Sequence, residues 1–128
     1  AGKVTLITNG KKDAGVLAPN GLLMDGQSTL LEVDLASGIL YHIDIARGRL
    51  TKIAEGFGGG DGIVRSKKGV LYVSDWANGK VFIVSKDGKV ELFKDGFKSA
   101  ADINISADGR YLMVPDMKAG ELVMLPLH

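Results

Sequence analysis

The 128-residue chain is long enough for one domain, and its charge is nearly balanced, with 16 Lys and Arg, 15 Asp and Glu and a net charge of +1. This balance gives no electrostatic reason to expect nucleic acid or an anionic membrane as a partner, and no stretch approaches the roughly 18 apolar residues of a membrane span. The absence of Cys excludes disulfides and thiolate metal centres, and it leaves the compartment of a soluble protein open between cytoplasmic and periplasmic or secreted.

The first predicted element is a single β-strand within residues 1–9. Three repeats follow, at about 20–54, 61–94 and 102–126, and together with the first strand they form one domain spanning 1–128. The glycines Gly38, Gly79 and Gly120 are each 41 residues apart. A constant period of this length indicates a repeat architecture.

Each repeat is predicted to contain four short strands. In the second repeat we place them at 62–65, 70–74, 80–84 and 90–93, separated by turn sequences such as Asp87-Gly88. Four strands in about 40 residues are typical of one propeller blade. The predicted fold is therefore all-β, a β-propeller with three four-stranded blades per chain.

The count of twelve strands leaves the last blade without an outer strand, because that blade ends on its third strand at 122–125. The lone strand within residues 1–9 is of the kind that completes such a blade. Three blades are too few for a ring, which uses roughly four to eight. We expect a homodimer that forms a six-bladed ring, and the alternative is that the chain is the C-terminal half of a longer propeller.

Polar residues recur where each innermost strand begins, at Asn20, Asp61 and Asp102, again 41 residues apart. These side chains are expected to ring the mouth of the central channel. Hard oxygen ligands of this kind suit a divalent cation, calcium before others. The alternative is that they cap turns through local backbone hydrogen bonds.

Further residues are predicted around the mouth as contacts for a small-molecule ligand: Trp76, Met117, Phe57 and Phe97. Trp76 is interpreted either as a ligand platform or as packing between blades. The repeated Asp34, Asp75 and Asp116 each end a strand before a turn, so we interpret them as turn caps.

Two motifs in consecutive blades, Pro19-Asn20-Gly21-Leu22 and Gly60-Asp61-Gly62-Ile63, resemble the regucalcin/gluconolactonase family. The resemblance implies a six-bladed propeller that hydrolyses sugar lactones with one divalent cation at the axis. By position it implies Asn20 as a metal ligand and Asp61 as both ligand and catalytic base. The family's ligating Glu and its other ligating Asn come from blades with no counterpart here.

Three functions follow as hypotheses. The first is a metal-dependent, gluconolactonase-like lactone hydrolase in which Asp61 activates water. The second is a non-catalytic half-propeller that binds a small ligand or a protein and assembles as a homodimer. The third is a structural fragment that needs an absent partner half, and the propeller fold by itself does not choose among them.

Overall fold

A computed structural model describes residues 2–127 as eleven β-strands in three antiparallel sheets, so both ends of the expected domain, Ala1 and His128, lie outside the described residues. Blade 1 contains β1 Pro19–Met24, β2 Thr29–Asp34, β3 Ile39–Asp44 and β4 Arg49–Glu55. Blade 2 contains β5 Gly60–Arg65, β6 Leu71–Asp75, β7 Lys80–Val84 and β8 Val90–Lys94. Blade 3 contains β9 Asn104–Ile105, β10 Tyr111–Asp116 and β11 Glu121–Pro126. None of the elements in residues 2–127 is a helix long and apolar enough to span a membrane.

The all-β prediction and the repeated four-stranded sheets are confirmed. In blades 1 and 2 the strands follow one another in chain order across the sheet, and blade 3 has three strands in the order β11-β10-β9. The strand expected within residues 1–9 is not formed inside the single chain, where residues 2–9 have no regular secondary structure. Eleven strands therefore replace the predicted twelve in the part of the chain that the structure describes.

The turn between the second and third strands is the same in all three blades. It closes with Gly38, Gly79 and Gly120, whose φ angles of 67°, 63° and 68° lie in the left-handed region. A glycine adopts this conformation without the steric penalty of a Cβ atom. The 41-residue glycine period in the sequence thus has a backbone cause.

The hydrophobic core lies between the blades. One cluster joins blades 1 and 2 and includes Val33, Leu40, Phe57, Ile63 and Val73. The other joins blades 2 and 3 through residues that include Tyr72, Val81, Ile103, Leu112 and Val114. Each blade therefore has one face turned to the preceding blade, the entry face, and one turned to the following blade, the exit face.

Candidate functional site

The residues at the start of β1 and β5 sit in β-bulges. In β1 the pairing with β2 shifts between Pro19 and Leu22, and in β5 the pairing with β6 shifts between Gly60 and Ile63. A bulge adds one unpaired residue and turns side chains out of the regular alternation. Both bulges fall where the sequence predicts site residues, at Asn20 and Asp61.

The innermost strands approach one another closely at these bulges. A Cβ atom on Gly21 would collide with the carbonyl oxygen of Asp61, and one on Gly62 would lie 2.6 Å from the backbone nitrogen of Ile103. Only glycine allows such an approach of two backbones. The glycine after Asn20 and the glycine after Asp61 therefore have a packing role that holds neighbouring site residues together.

Asp102 is displaced from the position that the 41-residue period assigns to it. The residues paired with the last residue of the second strand are Pro19, Gly60 and Ala100. The first two are 41 apart, whereas Gly60 and Ala100 are 40 apart. The backbone equivalent of Asn20 and Asp61 in blade 3 is consequently Ala101, and Asp102 follows one residue later because the connection into blade 3 is one residue shorter.

Asp102 nevertheless lies close to the other carboxylate. Its Oδ1 would be 3.1 Å from a Cβ on Gly62, the residue next to Asp61. Burial raises the pKa of Asp61, and the negative charge of Asp102 raises it further. The structure thus brings Asp102 close enough for its negative charge to act on the carboxyl group of Asp61.

Asn20 contributes an amide on the same inner rim. Its Nδ2 donates a hydrogen bond to the Gly60 carbonyl oxygen at 3.3 Å, which leaves Oδ1 as an acceptor. Among residues 2–127 no three His, Cys, Asp or Glu side chains are grouped closely enough to hold a metal ion by themselves. The donor set at this rim is therefore two carboxylates and one amide oxygen, all hard ligands of the kind that calcium takes.

The turn-cap interpretation of the three repeated aspartates is confirmed. Asp34 Oδ1 accepts hydrogen bonds from the backbone of Ala36 and Ser37, Asp75 Oδ1 accepts from Asn78, and Asp116 Oδ1 accepts from Ala119. Each carboxylate also binds backbone N–H groups of the segment that enters its own blade; the donors are Leu17, Ala18, Gly59, Lys98 and Ser99.

These second bonds clamp each blade to the connection before it. Burial by itself raises the pKa of Asp34, but the backbone N–H groups that surround it outweigh burial and hold the pKa below its usual value. A carboxylate whose oxygens accept hydrogen bonds from the backbone in this way has a structural role, so we do not take the three aspartates as candidates for catalysis.

The predicted ligand contacts separate into two groups. Phe57 is completely buried and packs edge-on against Phe82 with ring centres 5.6 Å apart, so its burial does not fit the prediction that it surrounds a ligand. Phe97 is partly buried against the core between blades 2 and 3. Both side chains fill space between blades, as apolar side chains in such connections generally do.

Trp76 and Met117 remain accessible. Trp76 is half-buried, and the Lys118 ammonium lies 4.5 Å from its ring centre, a cation–π contact. Met117 is exposed in the equivalent turn of the next blade. These two residues form the accessible apolar part of the predicted ligand surface.

Sequence reasoning missed Glu32, a nearly fully buried carboxyl with 2% of its surface exposed. Its Oε1 has no hydrogen-bond partner among the described residues. Burial raises the pKa of Glu32 to about 7, the charge of Asp34 adds to the rise, and the Asn20 backbone amide opposes it. The repeat could have predicted this burial, because the residues equivalent to Glu32 in the other two blades are the apolar Val73 and Val114.

Within residues 2–127, two four-stranded blades and one three-stranded blade follow one another with their cores between them, and this arrangement defines a β-propeller fold. Solved structures of similar fold include virginiamycin B lyase from Staphylococcus aureus, with a TM-score of 0.60 and 12% identity over 86% of this chain and 41% of that one. Another is regucalcin, a calcium-binding protein from Agrobacterium tumefaciens, with a TM-score of 0.66 and 22% identity over 84% of this chain and 45% of that one.

Hydrazine synthase from Kuenenia stuttgartiensis is also similar, with a TM-score of 0.61 and 20% identity over 84% of this chain and 35% of that one. The chain thus spans less than half the length of these three proteins. No protein-family model and no curated protein sequence matches it. At these identities the likeness concerns the fold.

Proposed function

We propose that the rim formed by Asn20, Asp61 and Asp102 binds a divalent cation, calcium before others, and that the protein opens a cyclic ester of the sugar-lactone class there. The observation that carries this proposal is the raised pKa of Asp61, in the innermost strand β5, beside Asp102, which lies just before the neighbouring innermost strand β9. A carboxylate whose pKa is raised by burial and by a specific charged neighbour is characteristic of functional sites.

The cation would be held by Asn20 Oδ1 and the two carboxylates. Two neighbouring negative charges repel each other, and a positive charge between them removes this repulsion. When bound, the cation supplies polarisation of the ester carbonyl and neutralises the negative charge that develops on its oxygen. The similarity to a regucalcin described as a calcium-binding protein supports calcium as the first cation to test.

Asp61 is the base in this proposal. A carboxylate with a raised pKa takes a proton from water more readily than an ordinary surface aspartate does. In the reaction the oxygen of that water forms a bond to the carbonyl carbon, and the ring C–O bond breaks. The alkoxide that leaves takes from Asp61 the proton that Asp61 removed from the water, and the product is an open-chain hydroxy acid.

The test compares Asp61→Asn with Asp87→Asn, a matched change in the exposed β7–β8 turn. Calcium should stabilise the wild type and Asp87→Asn by about 3 kcal/mol at a hundredfold excess over Kd, because it binds only the folded state. Asp61→Asn should lose most of this gain. Lactone opening, followed by proton release, should disappear with chelator and in Asp61→Asn, and activity that survives both would refute the proposal.

Non-catalytic ligand binding is the second candidate, and the accessible pair of Trp76 and Met117 favours it. The Trp76 ring already carries a cation at 4.5 Å, so this surface suits a small ligand with both an apolar face and a negative group. Calcium stabilisation that depends on Asp61, without any lactone opening, would select this function over hydrolysis.

A further inference from the structure

The two open faces of the chain expose apolar residues whose equivalents are buried. On the entry face of blade 1, Leu22 is 58% exposed, whereas its equivalents Ile63 and Ile103 lie in the two inter-blade cores. On the exit face of blade 3, Leu122 is 87% exposed, whereas Leu40 and Val81 are completely buried. Both end faces therefore expose apolar surface of the kind that is buried where blade 1 packs on blade 2 and where blade 2 packs on blade 3.

Blade 3 also has an open sheet edge. The strands equivalent to β11, which are β3 and β7, pair on their outer sides with β4 and β8. Within residues 2–127, β11 pairs only with β10. An unpaired edge of this length is a ready site for one more strand.

Residues 3–8 occupy the place of an outer strand from a blade before blade 1. The carbonyl oxygen of Ile7 lies against Gly48 in the β3–β4 turn, just as the carbonyl oxygen of Ile53 in β4 lies against Gly88 in the β7–β8 turn. Ile7 is thus equivalent to Ile53. This segment has the position of a fourth strand, and no strand within residues 2–127 pairs with it.

The outer surface of the segment is apolar and uncovered, with Val4 94% and Leu6 70% exposed. Its inner side bounds a cleft of about 340 Å³ over blade 1, lined mainly by apolar residues that include Val16, Leu22, Leu30 and Ile43. The open entry face therefore combines an apolar cleft, an unpaired strand segment and Leu22.

We propose that a second copy of this chain covers the entry face, with β11 of each copy pairing with residues 3–8 of the other. The open edge of β11 and the unpaired segment 3–8 are complementary. They do not pair with each other within residues 2–127, because three blades are fewer than the roughly four that the smallest rings contain. Two copies supply six blades, and the net charge of +1 per chain sets up little repulsion between them.

The repeat also assigns the register of the new strand pair. His42 in β3 pairs with Thr51 in β4. Met124 is equivalent to His42, and the equivalence of Ile7 with Ile53 makes Thr5 equivalent to Thr51. Thr5 of one copy should therefore lie directly opposite Met124 of the other, at the Cα separation of about 4.5–5.5 Å that a disulfide bridges.

The absence of native Cys makes this register directly testable. The double variant Thr5→Cys/Met124→Cys should form a covalent dimer under mild oxidation, seen on a non-reducing gel and reversed by reductant. The matched control Thr5→Cys/Leu122→Cys, two residues out of register, should cross-link far less. A closed ring gives dimers and no ladder of larger species.

Light scattering of the unmodified protein at micromolar concentration should give twice the 13.5 kDa chain mass, which keeps the proposal testable if a variant fails to fold. A folded monomer would overturn the proposal. Equal cross-linking of both cysteine pairs, or a ladder of higher species, would also overturn it. None of these three results depends on metal binding or lactone opening, so the assembly proposal and the proposed function can fail independently.

Discussion

Glu32 is an ionisable residue at a position of the repeat where the other two blades have apolar side chains. It occupies a site that holds Val73 and Val114 in the other blades, and it is almost fully buried on the entry face. Burial and the charge of Asp34 raise its pKa to about 7, so the folded protein holds a proton there that the unfolded chain has already released. A buried, incompletely bonded carboxyl destabilises the fold once it ionises.

The stability of the protein should therefore fall as pH rises from about 4.5 to about 7. In this window the folded state binds more protons than the unfolded state, and the upper limit of the loss is about 3 kcal/mol. Glu32→Gln should flatten this part of the pH profile, measured by urea unfolding at pH 5 and pH 8. Glu91→Gln, a change on the exposed outer strand β8, should keep the wild-type slope, and an unchanged slope in Glu32→Gln would contradict the assigned pKa.

At the scale of the elements, the innermost strands determine the site geometry. The bulges in β1 and β5 contain Asn20 and the half-buried Asp61, and the glycines that follow let neighbouring backbone segments touch each other. The clamps formed by Asp34, Asp75 and Asp116 hold the incoming connections in place. The rigidity of the site therefore depends on how tightly these inner strands pack against one another.

Gly21→Ala should disturb both the fold and the site, because its methyl group collides with the Asp61 carbonyl oxygen. Overpacking of this kind costs about 3 kcal/mol. Gly56→Ala is the control: its φ of 99° strains the alanine by about 1 kcal/mol, and its Cβ has no neighbour within 4 Å. Thermal unfolding should show the larger drop for Gly21→Ala, and equal drops would mean that the inner strands separate easily.

At the scale of the whole molecule, residues 2–127 form an arc of three blades, and no blade within these residues covers the entry face of blade 1 or the exit face of blade 3. Burial of apolar surface is the main driving force for association, and here it is joined by an unpaired strand edge. Under our proposal the inter-blade packing seen twice inside the chain is repeated twice more between copies.

Leu22→Asp and Leu122→Asp should each prevent this assembly, because each places a charge in a contact that must become as apolar as the inter-blade cores. Sedimentation velocity should show the monomer for both variants. Leu92→Asp is the matched control, since Leu92 is 48% exposed on β8, which already belongs to a complete blade. Dimers in all three variants would mean that these faces do not form the interface.

Local chemistry was enough to predict much of this fold. Turn glycines, Asp-Gly pairs and β-rich segments between them recur with a constant period, and each is a property of a few adjacent residues. The turn-cap role of Asp34, Asp75 and Asp116 was predictable for the same reason. The candidate site residues Asn20 and Asp61 followed from their place at the start of each inner strand.

The tertiary structure decided the features that depend on contacts between distant segments. It showed that the third inner strand enters one residue early, so Ala101 takes the place expected for Asp102, because the shorter connection is visible only through strand pairing. It moved Phe57 from the ligand surface into the core. It also showed that Glu32 is buried and that residues 3–8 are unpaired. Burial and strand pairing depend on which segments pack together, and the neighbouring residues in the chain do not determine this.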